Sequence, residues 1–208
     1  MGAIGKLHLL TDVVLQSRFS HEELARLGIS GGADTIQFRQ KTGSTREMIE
    51  VARRIKRICE EKTVSFIVND RIDVAIASEA DGVHLGREDF PIPLARKLLG
   101  PGKVIGGSAS TLEEALACVS EGADYIGFGP VYDTTSKLDA GPAGGISLLQ
   151  SVVKRVQVPV IAIGGISVEN AREVMKAGAA GIAVISAICC QEDPLQATRA
   201  LKKAMESG

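Results

Sequence analysis

Eight short apolar runs alternate with longer amphipathic stretches along the whole chain, and this alternation restricts the fold more than any other feature. The runs are Lys6–Leu10, Thr35–Phe38, Val64–Val68, Gly82–Leu85, Val104–Gly106, Tyr125–Phe128, Val158–Ile163 and Gly181–Ile185. They are rich in Val and Ile, and several are apolar throughout. That pattern predicts strands covered on both faces, as in a parallel sheet. The stretches between them carry a helical period. Ser44–Lys62 is the clearest, with Met48, Val51, Ile55, Ile58 and Cys59 on one stripe. Thr111–Glu121, Ser147–Val156, Val168–Ala177 and Pro194–Met205 follow it, and Thr111-Leu-Glu-Glu114 reads as a capping box.

A weak repeat supports this division. Gly32-Ala33-Asp34, Ala80-Asp81-Gly82, Gly122-Ala123-Asp124 and Gly178-Ala179-Ala180 each fall between a helix and the second, fourth, sixth or eighth run. Gly suits the left-handed position after a helix. The repeating unit is therefore two βα modules. Eight such modules in 208 residues predict one domain, residues 1–208, folded as a (β/α)8 TIM barrel. A doubly wound open sheet is the alternative, but it usually has fewer strands and a topological switch point.

Hydrophobic residues make up 45% of the chain and charged residues 24%, which excludes a disordered polymer. Lys and Arg total 24 against 25 Asp and Glu, so no overall basic footprint suggests a nucleic-acid partner. Aromatics are 3%, too few for base-stacking platforms. The 4 Cys form no CxxC pair and read as free thiols of a reducing, cytoplasmic setting. No secretory signal or membrane span is expected. Oligomeric state is not legible.

In a (β/α)8 barrel, function sits where the strands end at their C-terminal side. There the chain places Gln37-Phe38-Arg39-Gln40-Lys41, Asn69-Asp70, Asp89, Ser108, Thr134-Thr135-Ser136-Lys137, Gly164-Gly165 and Ile185-Ser186. Arg39 and Lys41 are two residues apart, so an extended segment points both the same way, as a cradle for a multiply charged anion. A solvated surface pair is the plainer reading. Asp70 and Asp89 end neighbouring strands, an arrangement that suits Mg2+ beside phosphate. Asp70 also suits a helix N-cap before Ile72–Ser78, and Asp89 a turn before Pro91. The Gly164-Gly165 turn, read as opening a helix, and the turn at Ile185-Ser186 offer backbone N–H groups to a phosphate. Asp133–Gly145 reads as a mobile lid carrying Thr134, Ser136 and Lys137, or as an ordinary loop. His84, inside a strand, reads chiefly as a packed, hydrogen-bonded core residue.

At these residues the chain resembles the thiamine phosphate synthase family. The likeness covers nearly the whole chain and is carried by GADTIQFRQK, FIVNDRIDVAIASEADGVHLGREDFP, GADYIGFGPVYDTTSK and VPVIAIGGISVENAREVMKAGAAGIAVISAI. The resemblance implies a barrel that joins a pyrimidine methyl diphosphate to a thiazole phosphate and releases pyrophosphate. It implies that the segment Gln37–Lys41, with Phe38 and Gln40 in it, binds the diphosphate together with Asn69, Ser108 and Lys137. By the same likeness Asp70 and Asp89 hold Mg2+, and Thr134, Thr135, Ser136, Gly165, Ile185 and Ser186 hold the thiazole phosphate. Arg39, Lys41, Lys137 and Ser108 are then the catalytic set. Gln40 stands where the family usually has Glu, and Ser110 where His is common. The alternatives are a thiazole tautomerase, which typically has His where this chain has Pro130, or a non-catalytic paralogue that binds thiazole phosphate.

Overall fold

The computed structural model describes residues 4–136 and 141–206. Its strands are β1 (Leu7–Thr11), β2 (Thr35–Phe38), β3 (Ser65–Asn69), β4 (Gly82–Leu85), β5 (Val104–Ala109), β6 (Tyr125–Phe128), β7 (Val160–Ile163) and β8 (Gly181–Val184). The helices are α1 (His21–Gly31), α2 (Thr45–Glu60), α3 (Ile72–Ala77), α4 (Ile92–Leu99), α5 (Leu112–Ser120), α6 (Gly145–Arg155), α7 (Ala171–Lys176), α8 (Ser186–Cys189) and α9 (Pro194–Glu206). The strands run parallel in chain order, and β1 pairs with β8 to close the barrel. This is the (β/α)8 barrel the alternation predicts, and it rules out the open sheet.

The alternation of side chains along a strand sorts the residues. On β1, Leu7 and Leu9 are fully buried, whereas His8 and Leu10 line the central cavity. On β2, Ile36 and Phe38 are buried while Gln37 lines the cavity, and on β4 Val83 and Leu85 are buried while His84 lines it. The main apolar core is thus the layer between strands and helices. Helix α2 shows why the helices dock there. Met48, Ala52, Ile55, Ile58 and Cys59 form its buried face, and Ser44 with Glu47 closes a full capping box at its start.

The box expected at Thr111 is only half formed. Thr111 accepts the Glu114 N–H, but the Glu114 carboxylate turns to the Ser110 N–H and hydroxyl and to Arg87. Ser110 is a second acceptor-seeking group one residue earlier, and it outcompetes the cap backbone.

The repeat has a physical role. Asp34 accepts the Leu7 N–H at 3.0 Å and holds Lys202 at 2.7 Å. Asp81 accepts the Phe66 N–H at 2.8 Å and holds Lys56 at 2.6 Å. Asp124 accepts the Ile105 N–H at 2.7 Å and holds Arg96 at 2.5 Å. Each carboxylate fastens the start of an odd-numbered strand at the N-terminal end of the barrel. Ala180 occupies the fourth place, where only its backbone N–H reaches Val160. The left-handed residues before these places are Gly32, Gly122 and Gly178, with Glu79 taking that position in the second quarter.

The four cysteines are free thiols. Among the described residues no helix is long and apolar enough to cross a membrane.

Candidate active site

A cavity of about 970 Å³ opens at the C-terminal end of the barrel and reaches down to His8 and Tyr125. Its wall differs from side to side. Gln37, Asn69, His84 and Ser108 face it from β2 to β5, while Ile161, Ile163 and Ala183 face it from β7 and β8.

Charge collects on the polar side. Arg39 pairs with Asp12, whose side chain is 1% exposed. Asp12 Oδ1 accepts the N–H groups of Val14 (2.8 Å) and Leu15 (3.0 Å), so the turn after β1 fixes the carboxylate that holds the guanidinium. Lys41 pairs with Asp70. Gln37 donates to Asn69 Oδ1 at 2.8 Å. Asp89 accepts the Gly86 N–H at 2.7 Å and lies against the Asp70 carboxylate. Burial holds the Asp89 carboxyl above the ordinary carboxylate range, and the hydrogen bond and charge of Asp70 push it further.

Asp70 is no helix cap. The residue before α3 is Arg71, without a side-chain cap bond, and the Asp70 backbone is left-handed at φ 64°. That uncommon conformation accompanies its place beside Asp89 and Lys41. Two carboxylates meeting at a cavity wall give a hard oxygen donor set that fits Mg2+, an ion that keeps waters and takes phosphate oxygens. Among the described residues no group of three His, Cys, Asp or Glu could hold a metal, so the pair is the candidate set.

Opposite this cluster lie Thr134, Thr135, Ser136, Gly165, Ile185 and Ser186, all on the cavity wall. Ser136 Oγ donates to Ser186 Oγ at 3.0 Å, linking the loop after β6 to the end of β8. The Gly164-Gly165 turn is present, with both residues at positive φ. The helix expected to open directly after it does not. Asn170 instead accepts the Ser167 N–H and donates to the Gly165 carbonyl, and α7 starts only at Ala171.

Two residues of the Gln37–Lys41 segment turn away from the cavity. Phe38 is 2% exposed and packs edge-on against His21 at 4.8 Å, because its strand neighbour Gln37 takes the inward position. Gln40 donates to the Thr42 carbonyl at 2.8 Å and is spent within its own turn. Lys137 and the part of the Asp133–Gly145 loop from 137 to 140 lie outside the described residues.

The structure also adds residues that the strand-end reading passes over. Asp12 is 27 positions from Arg39, and nothing in the local pattern joins them. Tyr125 opens an apolar run and reads as core, yet its hydroxyl meets His84. The run of polar strand ends was the signal for the rim, and it is blind to the floor.

Comparison with known proteins places the whole chain in a family. The family model described as thiamine monophosphate synthase, TMP-TENI, matches residues 7–188. The thiamine-phosphate synthase of Salinibacter ruber is 48% identical over 204 residues, covering 98% of this chain and 90% of that one. That of Methanocella arvoryzae is 51% identical over 196 residues, covering 94% and 92%. A solved thiamine phosphate pyrophosphorylase from Pyrococcus furiosus superposes with a TM-score of 0.89 at 45% identity, covering 97% of this chain and 95% of that one. A match of this extent in sequence and in structure means that the chain belongs to the thiamine monophosphate synthase family.

Proposed function

We propose that the protein is a thiamine-phosphate synthase. It is a transferase of thiamine biosynthesis that couples a pyrimidine methyl diphosphate to a thiazole phosphate and releases pyrophosphate. The observation that carries the reading is one cavity with two differently built ends. Arg39, Lys41, Asp70 and Asp89 gather on one wall, and Ser136 bonded to Ser186 stands on the other.

On this reading Gln37, Arg39, Lys41, Asn69 and Ser108 bind the pyrimidine diphosphate, with Lys137 added from the loop. Thr134, Thr135, Ser136, Gly165, Ile185 and Ser186 bind the thiazole phosphate, since loops after β7 and β8 are the common phosphate site of this architecture. Asp70 and Asp89 are the residues that would hold Mg2+, which when bound neutralises charge on the diphosphate. The bond between the pyrimidine methyl carbon and the diphosphate oxygen breaks, and the oxygen keeps the electron pair. The thiazole nitrogen lone pair then forms the new C–N bond. Arg39 and Lys41 stabilise the growing negative charge, and the two ends of the cavity hold the reactants in line. No proton is removed in this sequence, so no strong general base is needed.

The test is a coupling assay with both substrates and Mg2+, quantifying thiamine phosphate and pyrophosphate, with an EDTA control. Equal amounts of both products, lost with EDTA, are expected. Binding of thiazole phosphate without product would overturn the synthase reading in favour of an isomerase or a binding paralogue.

A further inference from the structure

A hydrogen-bonded line on the cavity floor leads to Ser108 through two residues that the reaction above does not use. Tyr125 on β6 is 1% exposed, and its hydroxyl lies 2.9 Å from His84 Nδ1 on β4. His84 Nε2 lies 2.9 Å from Ser108 Oγ on β5. The register explains how the ring fits. His84 pairs with Gly106, Gly106 pairs with Tyr125, and Ser108 pairs with Gly127. A Cβ at Gly106 would lie 2.4 Å from His84 Nδ1 and 2.2 Å from Tyr125 Cζ. One at Gly127 would lie 2.7 Å from His84 Cε1. Two strand positions are therefore kept without side chains, and the imidazole lies across the space between β4 and β6.

Proton accounting gives the line a direction. Burial raises the Tyr125 phenol above its ordinary range, so it stays protonated. Its hydroxyl has one proton to give, and the partner in reach is His84 Nδ1. A buried O–H left without an acceptor is costly, so Tyr125 donates and Nδ1 accepts. An imidazole whose Nδ1 accepts carries its proton on Nε2. Nε2–H then donates to Ser108 Oγ, and the Ser108 proton is released toward the cavity. In the opposite direction Ser108 would give its proton to Nε2. It would then offer only lone pairs to the substrate, which a phosphate oxygen cannot use.

We infer that His84 and Tyr125 are positioning residues that set the Ser108 hydroxyl as a donor aimed at the diphosphate. The inference rests on the proposed function, and specifically on Ser108 touching that substrate.

The experiment measures kcat and both KM values, with melting temperature, for S108A, Y125F, the double variant, H84Q and H84F. S108A is expected to lower kcat about 10²-fold, as for loss of one oxyanion donor. Y125F keeps the ring and is expected to lower kcat about fivefold, with KM for thiazole phosphate unchanged. In the S108A background Y125F is expected to change kcat by less than about twofold, because its only route is then gone. H84Q, whose amide can donate where Nε2–H did, is expected to keep more activity than H84F. If Y125F lowers kcat by the same factor in both backgrounds, it acts through packing and the inference is overturned. If S108A turns over like the unaltered chain, the role of Ser108 is overturned, and the inference with it. No coupling by the unaltered chain would overturn the proposed function first.

Discussion

At the N-terminal end of the barrel, Asp34, Asp81 and Asp124 each accept a strand N–H and hold a cation from the same chain. At the C-terminal mouth, Asp70 and Asp89 face one another, and among the described residues only Asp70 has a cation, Lys41, at ion-pair distance. Asp34 and Asp89 titrate in opposite directions. Burial works against the Asp34 carboxylate, yet the bonds from Lys202, Leu7 and Lys6 outweigh it and hold the group below its ordinary range. Burial and Asp70 together hold Asp89 above it. Carboxylates that keep the fold are satisfied from within the chain. The pair at the mouth is left with repulsion that a cation from outside can relieve.

Replacing the mouth carboxylate should show this most strongly. Asp89→Asn is expected to lower coupling turnover about 10²-fold at saturating Mg2+. Stability should move the other way. A carboxylate with a raised folded pKa binds its proton more tightly in the folded chain, so stability falls as pH climbs past the ordinary value of about 3.9. In EDTA the variant should therefore melt at or above the unaltered protein near neutral pH, with the gap closing as pH falls toward about 4. A variant that loses both turnover and stability would place Asp89 with the carboxylates of the other end.

Asp124→Asn tests the opposite end and should give the reverse result. The amide oxygen can still accept the Ile105 N–H, but the Arg96 pair is lost. A drop of about 1–2 kcal/mol in urea unfolding is expected, with kcat unchanged. A large loss of turnover at unchanged stability would break the comparison.

The smallest effect concerns Gln40. Its side chain is hydrogen-bonded within its own turn, outside the cavity. Gln40→Glu is expected to shift kcat by less than about twofold. A larger change would mean that charge at this position reaches the diphosphate wall.

The strands are legible where hydropathy and turn residues end together. Thr35–Phe38, Gly82–Leu85 and Tyr125–Phe128 match the structure at both ends. The strand at Val158–Ile163 starts later, at Val160, because Pro159 has no N–H for the ladder. The strand at Val104–Gly106 runs on to Ala109, since Gly107-Ser108 interrupts the apolar run without interrupting the backbone pairing. The rim of the site was legible because its polar residues sit at strand ends. Phe38 belongs to the Gln37–Lys41 segment that the family resemblance implies, and the alternation of the strand turns its side chain away from the cavity, against His21. The Asp12–Arg39 pair and the line from Tyr125 to Ser108 were not legible. Their partners come from different strands or strand ends, and only the lateral pairing of β1 with β2, and of β5 with β4 and β6, makes them neighbours.

The empty strand positions at Gly106 and Gly127 also limit how this pocket can be redesigned. A side chain added at either glycine collides with His84, so the three positions on β4, β5 and β6 can change only as a set. An engineer seeking room for a bulkier pyrimidine gains nothing by varying them singly. The adaptable wall is the other one, where Ile161 and Ile163 can be trimmed without disturbing a hydrogen bond of the floor. Altered substrate choice is therefore more accessible from β7 than from the strands that hold the polar line.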